Sequence, residues 1–403
     1  MTSFALSRRL PVLAGMPMAR PAVVYIALFG ALGTFFPYSS VFLASRGLQL
    51  EAIGLLLALH SVVSLVVAPA WGALADRVGD VSRVLLAASL FAGAGAAALA
   101  FAHDPLGLAA ALSLLAVGTG GMIPLADTRA VDLAGDRREH FARARAWGSG
   151  AFIVTSIATG WILSGRGPDA LFVLYVPLLV VTGIASWRLL GPGSADGHPR
   201  VRRVTSLRPT GIGRLLSQPG LLALLVGVTL IWTAVGAVMA FISIHVAAQG
   251  ADLATIGLMW AIGAVVEIPI MLAFPVLARR VGSGRLLVLG AMAFALRAAG
   301  WGVAGDPVVA VLVAPLGGIG FALFYVGLVS FVARSVPREV QATAQGVFTG
   351  MTFSLGSVVG TILAGFVAPV IGLPGLFLTA AVATALGTVV VAAGVSGARP
   401  ATA

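Results

Sequence analysis

Residues 22–44 read AVVYIALFGALGTFFPYSSVFLA, a run of 23 residues without a charged side chain. An α-helix rises about 1.5 Å per residue and the hydrocarbon core of a bilayer is about 30 Å thick, so about 20 apolar residues cross it. The apolar core of a cleaved secretory signal is shorter and is followed closely by a small-residue cleavage site. The run therefore reads as a first membrane-spanning helix, with Arg8, Arg9 and Arg20 ahead of it. Working outward, further runs long enough to cross fall near 52–75, 84–102, 106–127, 146–164, 169–190, 219–246, 253–278, 286–304, 307–333, 341–369 and 372–395, which predicts twelve spans.

The composition requires such spans. Of 403 residues, 59% are hydrophobic and 10% are charged, against about 25% charged in an ordinary soluble domain. The mean hydropathy is +1.04. A soluble protein of this length has too little interior to hide that much apolar surface, so the excess faces lipid. Gly (51) and Pro (21) are plentiful, as transmembrane helices tolerate. The absence of cysteine excludes disulfides, thiolate metal sites and thiol nucleophiles. No phosphate-binding loop follows a strand, so nothing points to ATP drive, and no cofactor or metal is expected.

The basic residues are all arginine, 25 of them, and the net charge is +11. Such a charge can mark a nucleic-acid binder, but the arginines follow the membrane instead. All but Arg46, Arg166 and Arg297 fall at the termini or in alternate loops, on one side of the predicted spans. Basic residues stay cytoplasmic during insertion, which places both termini in the cytoplasm of a bacterial inner membrane. Topology accounts for the charge, and no nucleic-acid partner is expected.

An internal repeat divides the chain. Arg46-Gly47-Leu48, Ile53-Gly54, Arg77-Val78-Gly79 and Asp104-Pro105 are answered 202–203 residues later by Gln249-Gly250-Ala251, Ile256-Gly257, Arg280-Val281-Gly282 and Asp306-Pro307. Arg138-Glu139, Ala142, Ala144, Gly150 and Gly160 recur 200 residues on as Arg338-Glu339, Ala342, Ala344, Gly350 and Gly360. The direction is preserved, as in parallel repeats related by an axis along the membrane normal. The expected fold is an all-α membrane protein of twelve helices. Residues 1–190 and 219–403 form two six-helix bundles related by a pseudo-twofold, joined by a Pro-, Gly- and Arg-rich cytoplasmic linker at 191–218. A midplane cavity between the bundles, opened alternately to each side, follows from that arrangement.

The segment Gly72-Ala73-Leu74-Ala75-Asp76-Arg77-Val78-Gly79-Asp80, with Arg83, resembles the signature loop of the major facilitator superfamily. The resemblance implies that Gly72, Asp76, Arg77, Gly79 and Arg83 form a gating loop that latches the cytoplasmic side in the outward-open state. Asp76 is expected against a neighbouring helix N-terminus, with the arginines in the headgroup zone. A plain topology anchor is the alternative. Residues 22–395 more narrowly resemble the branch that holds lactose permease, other oligosaccharide:proton symporters and the phenylpropionate permeases. Gly33-Thr34-Phe35-Phe36-Pro37, Phe141-Ala142-Arg143-Ala144-Arg145-Ala146-Trp147-Gly148, Glu267 and Arg297 carry that likeness. It implies that Asp127 and Arg145 grip the substrate, that Phe152 takes an aromatic stacking position, that Glu267 serves both substrate and proton, and that Arg297 adjoins it in the proton relay. The branch's His and Glu of helix 10 have no counterpart in Gly317-Gly318-Ile319-Gly320-Phe321.

Read without the family, Glu267 and Arg297 lie about 18–21 Å along their helices, near mid-membrane. A charge there costs at least about 2.5–3.5 kcal/mol. Each must compensate the other or face a wet cavity, as a proton-exchanging site or as a permanent structural ion pair. Asp127 ends one predicted helix and Arg145 begins the next, which suits either a substrate pair or a helix-end salt bridge. His60 and His245 read as satisfied buried histidines or relay members. Trp232, Phe241, Trp260 and Phe324 read as packing or as cavity-lining rings. The function this pattern predicts is secondary active transport of a small organic solute by alternating access, as proton-coupled uptake, in a monomer within the lipid bilayer. The rivals are an exporter of the same fold, an uncoupled facilitator, a non-transporting sensor and an integral membrane transferase. A transferase would want a cluster of catalytic His, Asp or Glu at one membrane face, which the chain lacks.

Overall fold

The computed structural model describes residues 18–135, 138–191, 219–336 and 340–398. All regular structure among them is helical. Residues 192–218 of the expected linker, and the arginines Arg8, Arg9 and Arg399, lie outside the described residues.

Ala19–Phe35 (α1) and Ser39–Ser45 (α2) follow one path bent by 40°. Leu50–Val78 (α3), Val81–Phe101 (α4), Pro105–Ala134 (α5), Arg138–Arg166 (α6) and Leu171–Ala185 (α7) come next, the last running into a π-helical turn at Ser186–Leu190. Then come Pro219–Ala248 (α8), Leu253–Val281 (α9), Ser283–Val303 (α10), Pro307–Val313 (α11) and Pro315–Ser335 (α12). Gln341–Thr349 (α13), a π-helical stretch at Gly350–Gly356 and Ser357–Gly397 (α14) complete the order. Among the described residues, ten helices are long and apolar enough to cross a bilayer, and eleven if the bent α1–α2 pair counts as one span. The last of them, Thr343–Gly397, is 55 residues long, about 80 Å if straight. It breaks at Gly372 (φ 74, ψ 164), between Pro369 and Pro374.

Several of the repeated residues prove to be helix punctuation. Asp104 and Asp306 stand at the N-caps of α5 and α11, accepting backbone N–H bonds from Gly107 (2.8 Å) and Val308 (2.7 Å). The prolines after them occupy the first helical position, where a missing N–H costs nothing. The Gly107 N–H holds the Asp104 carboxyl below its ordinary range. Gly79 (φ 67) and Gly282 (φ 91) end α3 and α9 in the left-handed region that a side chain would resist. Arg129, expected in a loop, lies inside α5, where it is buried and donates to the Leu190 carbonyl (2.9 Å).

Contacts gather the chain into two compact units. The first holds α1, α3 from Val63, α4, α5, α6 up to Thr155, and α7 from Phe172. Its centre is the α4–α5 contact, where Gly118 lies so close to α4 that an added Cβ would stand 2.6 Å from the Ala92 Cα. Trp71 of α3 fills the notch at Gly121 and donates its indole N–H to the Val117 carbonyl (2.6 Å). The second unit holds α2, α3 up to Val62, Ser156–Leu171, and α8 to α14. Its core joins Leu224, Val228, Ile231, Leu287, Phe324 and Val391, with Gly227 and Gly387 letting α8 and α14 touch through backbone. In lipid, helices associate through such close packing, because apolar burial gives no net drive there. Outward faces are apolar in both units: Val66 is 69% exposed, Leu272 78% and Val370 82%.

Gly118→Val should therefore destabilise the protein by about 1–3 kcal/mol through overpacking. Gly150→Ala, at a helical position with nothing within 4 Å of the added carbon, should be neutral or slightly stabilising. Melting in detergent checks both, and equal melting temperatures for the two variants would contradict the account.

Candidate functional site

In the first unit α1, α5 and α6 bring three polar side chains together. Arg145 Nη1 lies 2.5 Å from Asp127 Oδ2, and the Tyr25 hydroxyl donates to Asp127 Oδ1 (2.6 Å). The Arg145 guanidinium also lies 5.7 Å over the Phe29 ring, and Tyr25 meets Phe29 and Phe141 edge-on. The side chains of Arg145 and Asp127 remain 40% and 28% exposed, so the pair is open to a ligand. The expected helix-end position is corrected. α5 continues to Ala134 and α6 begins at Arg138, which places both partners about two turns inside their helices. The polar segments around them stay helical, because hydropathy marks the membrane and not the end of a helix. The Phe152 carbonyl and Cα lie against Gly33, so the close approach of α6 to α1 runs through Phe152's backbone, with its side chain half-buried. Tyr25 and Phe29 were missed from sequence; their one-turn spacing on a face of α1 was the signal available.

In the second unit Glu267 lies at the middle of α9, half-buried, at the point where Gly318 of α12 admits the α9 backbone. The expected compensation by Arg297 is not formed. Among the described residues no cation lies within ion-pair distance of Glu267. Arg297 is buried, with its guanidinium 5.0 Å from the centre of Phe294 and 4.8 Å from that of Trp301. These rings stand three residues before and four after it on α10, one turn to each side. Gly317 leaves room for the guanidinium: an added Cβ would meet Nη1 and stand 3.2 Å from Cδ. Arg297 also lies about two turns from the C-terminal end of α10, nearer one face than Glu267, which sits at its helix's midpoint.

In the segment expected to form a gating loop, Gly72, Asp76 and Arg77 lie in the last two turns of α3, and Gly79 makes the turn. Asp76 is exposed. The acid that caps a helix N-terminus is Asp80, which accepts from the Ser82 and Arg83 N–H groups and holds the Arg83 guanidinium at 3.0 Å. The expected role of Asp76 against a helix N-terminus is thus filled four residues later by Asp80, on the helix that follows directly.

Other candidates resolve into packing. His245 meets the Trp301 carbonyl and Gln249. Phe241 and Phe324 are fully buried. Trp260 donates to the Ser243 hydroxyl and meets Phe36 edge-on. Trp232 is only partly buried and stands among other rings.

The second unit also contains a set of close helix-end contacts. Gly54 of α3 lies against Thr361 and Gly365 of α14. Gly160 of α6 lies against Leu253 and Ala254 of α9, and Gly257 of α9 against Ser156. The Tyr38 hydroxyl donates to the Ser156 carbonyl (2.5 Å), and the Ser164 hydroxyl accepts from the Ala254 N–H (3.0 Å).

A bundle of apolar helices carrying a few ionisable side chains well inside its spans defines a polytopic solute carrier. The chain belongs to the MFS_1 like family, whose model matches residues 19–378. It is 27% identical over 370 residues to a maltose permease of Geobacillus stearothermophilus, covering 91% of each chain. It is 28% identical over 380 residues to the probable 3-phenylpropionic acid transporter of Escherichia coli (strain K12), covering 87% of this chain and 91% of that one. Among solved structures, the nucleoside transporter NupG matches with a TM-score of 0.80 at 18% identity, over 94% of this chain and 99% of that chain. At that identity the likeness is one of fold. The protein is a multi-pass membrane transporter of the major facilitator type, not an enzyme, and its cargo is a small molecule.

Because rings rather than a carboxylate hold Arg297, Arg297→Lys should cost about 1–2 kcal/mol, a lysine lacking the planar stacking surface. Glu267→Gln should leave stability nearly unchanged. A double-mutant cycle on thermal stability should give a coupling below about 0.5 kcal/mol, as for independent sites. A coupling of about 1.5 kcal/mol or more would restore the ion pair.

Proposed function

We propose that the chain crosses a bacterial inner membrane twelve times, with both termini in the cytoplasm, and imports a small organic solute together with a proton as a monomer. The span count takes α1–α2 as one crossing and divides Thr343–Gly397 at Gly372 into two. Residues 1–190 and 219–403 are then two six-helix bundles, joined by 191–218 and related by a pseudo-twofold along the membrane normal. The helix-end contacts support that symmetry. Gly54 and Gly257 are repeat partners, and each meets the helix that the repeat assigns it: Gly54 the α14 segment at 361–365, and Gly257 the α6 segment at 156–160.

The observation that carries the function is Glu267, a half-buried carboxylate at the centre of an apolar helix with no cation in ion-pair distance among the described residues. At that depth a lone charge costs about 2.5–3.5 kcal/mol or more, so the group must take up a proton or meet water or a ligand. A carboxyl that crosses the dielectric boundary neutral and releases its proton when rehydrated couples proton movement to the cycle. We assign Arg297 to the same step, with its pairing to Glu267 belonging to the alternate state. Asp127 and Arg145 bind the solute's polar groups: a guanidinium has five donors and Asp127 takes one, leaving four for cargo and neighbours. Phe152 lies two turns further along α6 and offers it a ring. We assign Gly72, Asp76, Arg77, Gly79 and Arg83 to the cytoplasmic latch, and the contacts at Gly54, Gly160 and Gly257, within the second unit and toward the other end of α3, to the outer gate.

Vesicles of right-side-out orientation, acidified outside and offered labelled maltose, 3-phenylpropionate or uridine, should accumulate a solute through the wild-type protein and not through Glu267→Gln. Accumulation by that variant at the wild-type level would refute the proton role, and gradient-driven efflux would mark an exporter. The chain has no cysteine, so Thr361→Cys can be labelled alone. Adding Gly257→Leu, which drives a side chain into Ser156 and Tyr38, should raise its labelling from outside several-fold. Unchanged labelling would contradict the assignment of these contacts to the outer gate.

A further inference from the structure

The geometry points to a stacking subsite for a planar aromatic ring, built from Phe321 and Tyr325 of α12, Trp232 of α8 and Phe353 of the π-helical stretch. It rests on the transporter reading above and names the class of cargo: a solute with an aryl or heteroaryl ring on a short polar tail, rather than a saccharide.

The rings form a corner. Phe321 and Tyr325 lie one helical turn apart and are stacked, with their planes within 2° and centroids 5.5 Å apart, making the first wall. Phe353 stands against Tyr325 at 65° and 5.4 Å, and against Trp232 at 75° and 4.4 Å, making the second wall. Trp232 is fixed behind by its indole N–H bond to the Ser357 hydroxyl (2.9 Å) and by stacking on the buried Phe324. The rings keep accessible surface. Tyr325 is 38% exposed, Phe353 is half-buried, and an added Cβ at Gly346 or Gly350 would meet nothing within 4 Å. A planar ring laid into it gains a face contact from one wall and an edge contact from the other, the two arrangements aromatic rings prefer.

Two further observations mark the place as built for a ligand. Seven consecutive residues, Gly350–Gly356, are π-helical, a widened geometry that occurs mostly as single turns and gathers at functional sites. Here it carries Phe353 into the corner. Gly318, where α12 receives α9 at Glu267, lies one turn before Phe321 and two turns before Tyr325. Glu267, which has no ion-pair partner among the described residues, is therefore a candidate partner for the polar tail. The four corner side chains offer one hydroxyl, that of Tyr325, and no charge, so a sugar ring seated there would leave its own hydroxyls without partners and lose affinity.

The test is binding by the purified full-length protein of 3-phenylpropionate, 3-cyclohexylpropionate, uridine and maltose, read by thermal shift and calorimetry. The cyclohexyl compound keeps the tail and size of the phenyl one but loses the planar π face. Wild type should bind an aromatic probe and prefer the phenyl over the cyclohexyl compound by about tenfold. Tyr325→Leu and Phe353→Leu should each bring that ratio near one, while Tyr325→Phe keeps it. Ligand-free melting of each variant identifies any that fails to fold, and either Leu variant alone suffices. Maltose binding with both aromatic probes silent would overturn the inference and leave the transporter reading standing. An equal affinity for phenyl and cyclohexyl compounds, or a ratio unmoved by both Leu variants, would overturn it as well. Silence from all four probes would overturn the inference and count against the transport reading too.

Discussion

A charge inside hydrocarbon must be neutralised, paired or wetted, and the few ionisable groups within these spans satisfy that constraint in different ways. Arg297 is held between two rings, whose negative faces replace part of its hydration. Asp127 and Arg145 neutralise each other, with the Tyr25 hydroxyl taking the second carboxylate oxygen. Glu267 has neither arrangement. Of these, the first two are solved within the protein, and Glu267 calls for something from outside it. A proton, water or a ligand can each meet that need, and a transport cycle uses them in turn.

The same solvent explains the glycines. Lipid removes the apolar drive that holds soluble helices together, so the helices approach until backbones touch. At Gly118, Gly227 and Gly387 such contacts are buried in the core of a unit. At Gly54, Gly160 and Gly257 they lie at helix ends, joined by a few hydrogen bonds from Tyr38 and Ser164. Backbone-to-backbone contact of this kind is close but small in area, and it can separate without exposing a large apolar surface to water. A gate needs that property, whereas a core needs the opposite.

Much of this was legible in the sequence. The run at 22–44 and the other apolar runs identify a multi-pass membrane protein, and four of the repeat residues, Asp104, Asp306, Gly79 and Gly282, are caps and turn glycines at helix ends. The site was legible as a set of residue types and less so as a set of partners. Asp127 and Arg145 do meet, but two turns deeper than the apolar runs indicated, because their helices continue through polar sequence. Glu267 and Arg297 do not meet: the rings at Phe294 and Trp301, three residues before and four after the arginine, were present in the sequence, and hydropathy takes no account of cation–π contact. Asp80 took the capping role expected of Asp76, since a cap depends on backbone geometry at one residue and a motif match does not resolve it. The ring corner at Phe321, Tyr325 and Phe353 was not legible, because it depends on a π-helical stretch that widens the helix locally.

The claim on which the account turns is that the Glu267 carboxyl exchanges protons with water from mid-membrane. Infrared difference spectroscopy of the reconstituted protein across a pH step observes it directly. The account predicts a protonated-carboxyl C=O band that fades reversibly as pH rises, shifts in heavy water and is absent from Glu267→Gln. A band that ignores both pH and solvent, or no difference between wild type and Glu267→Gln, would contradict it.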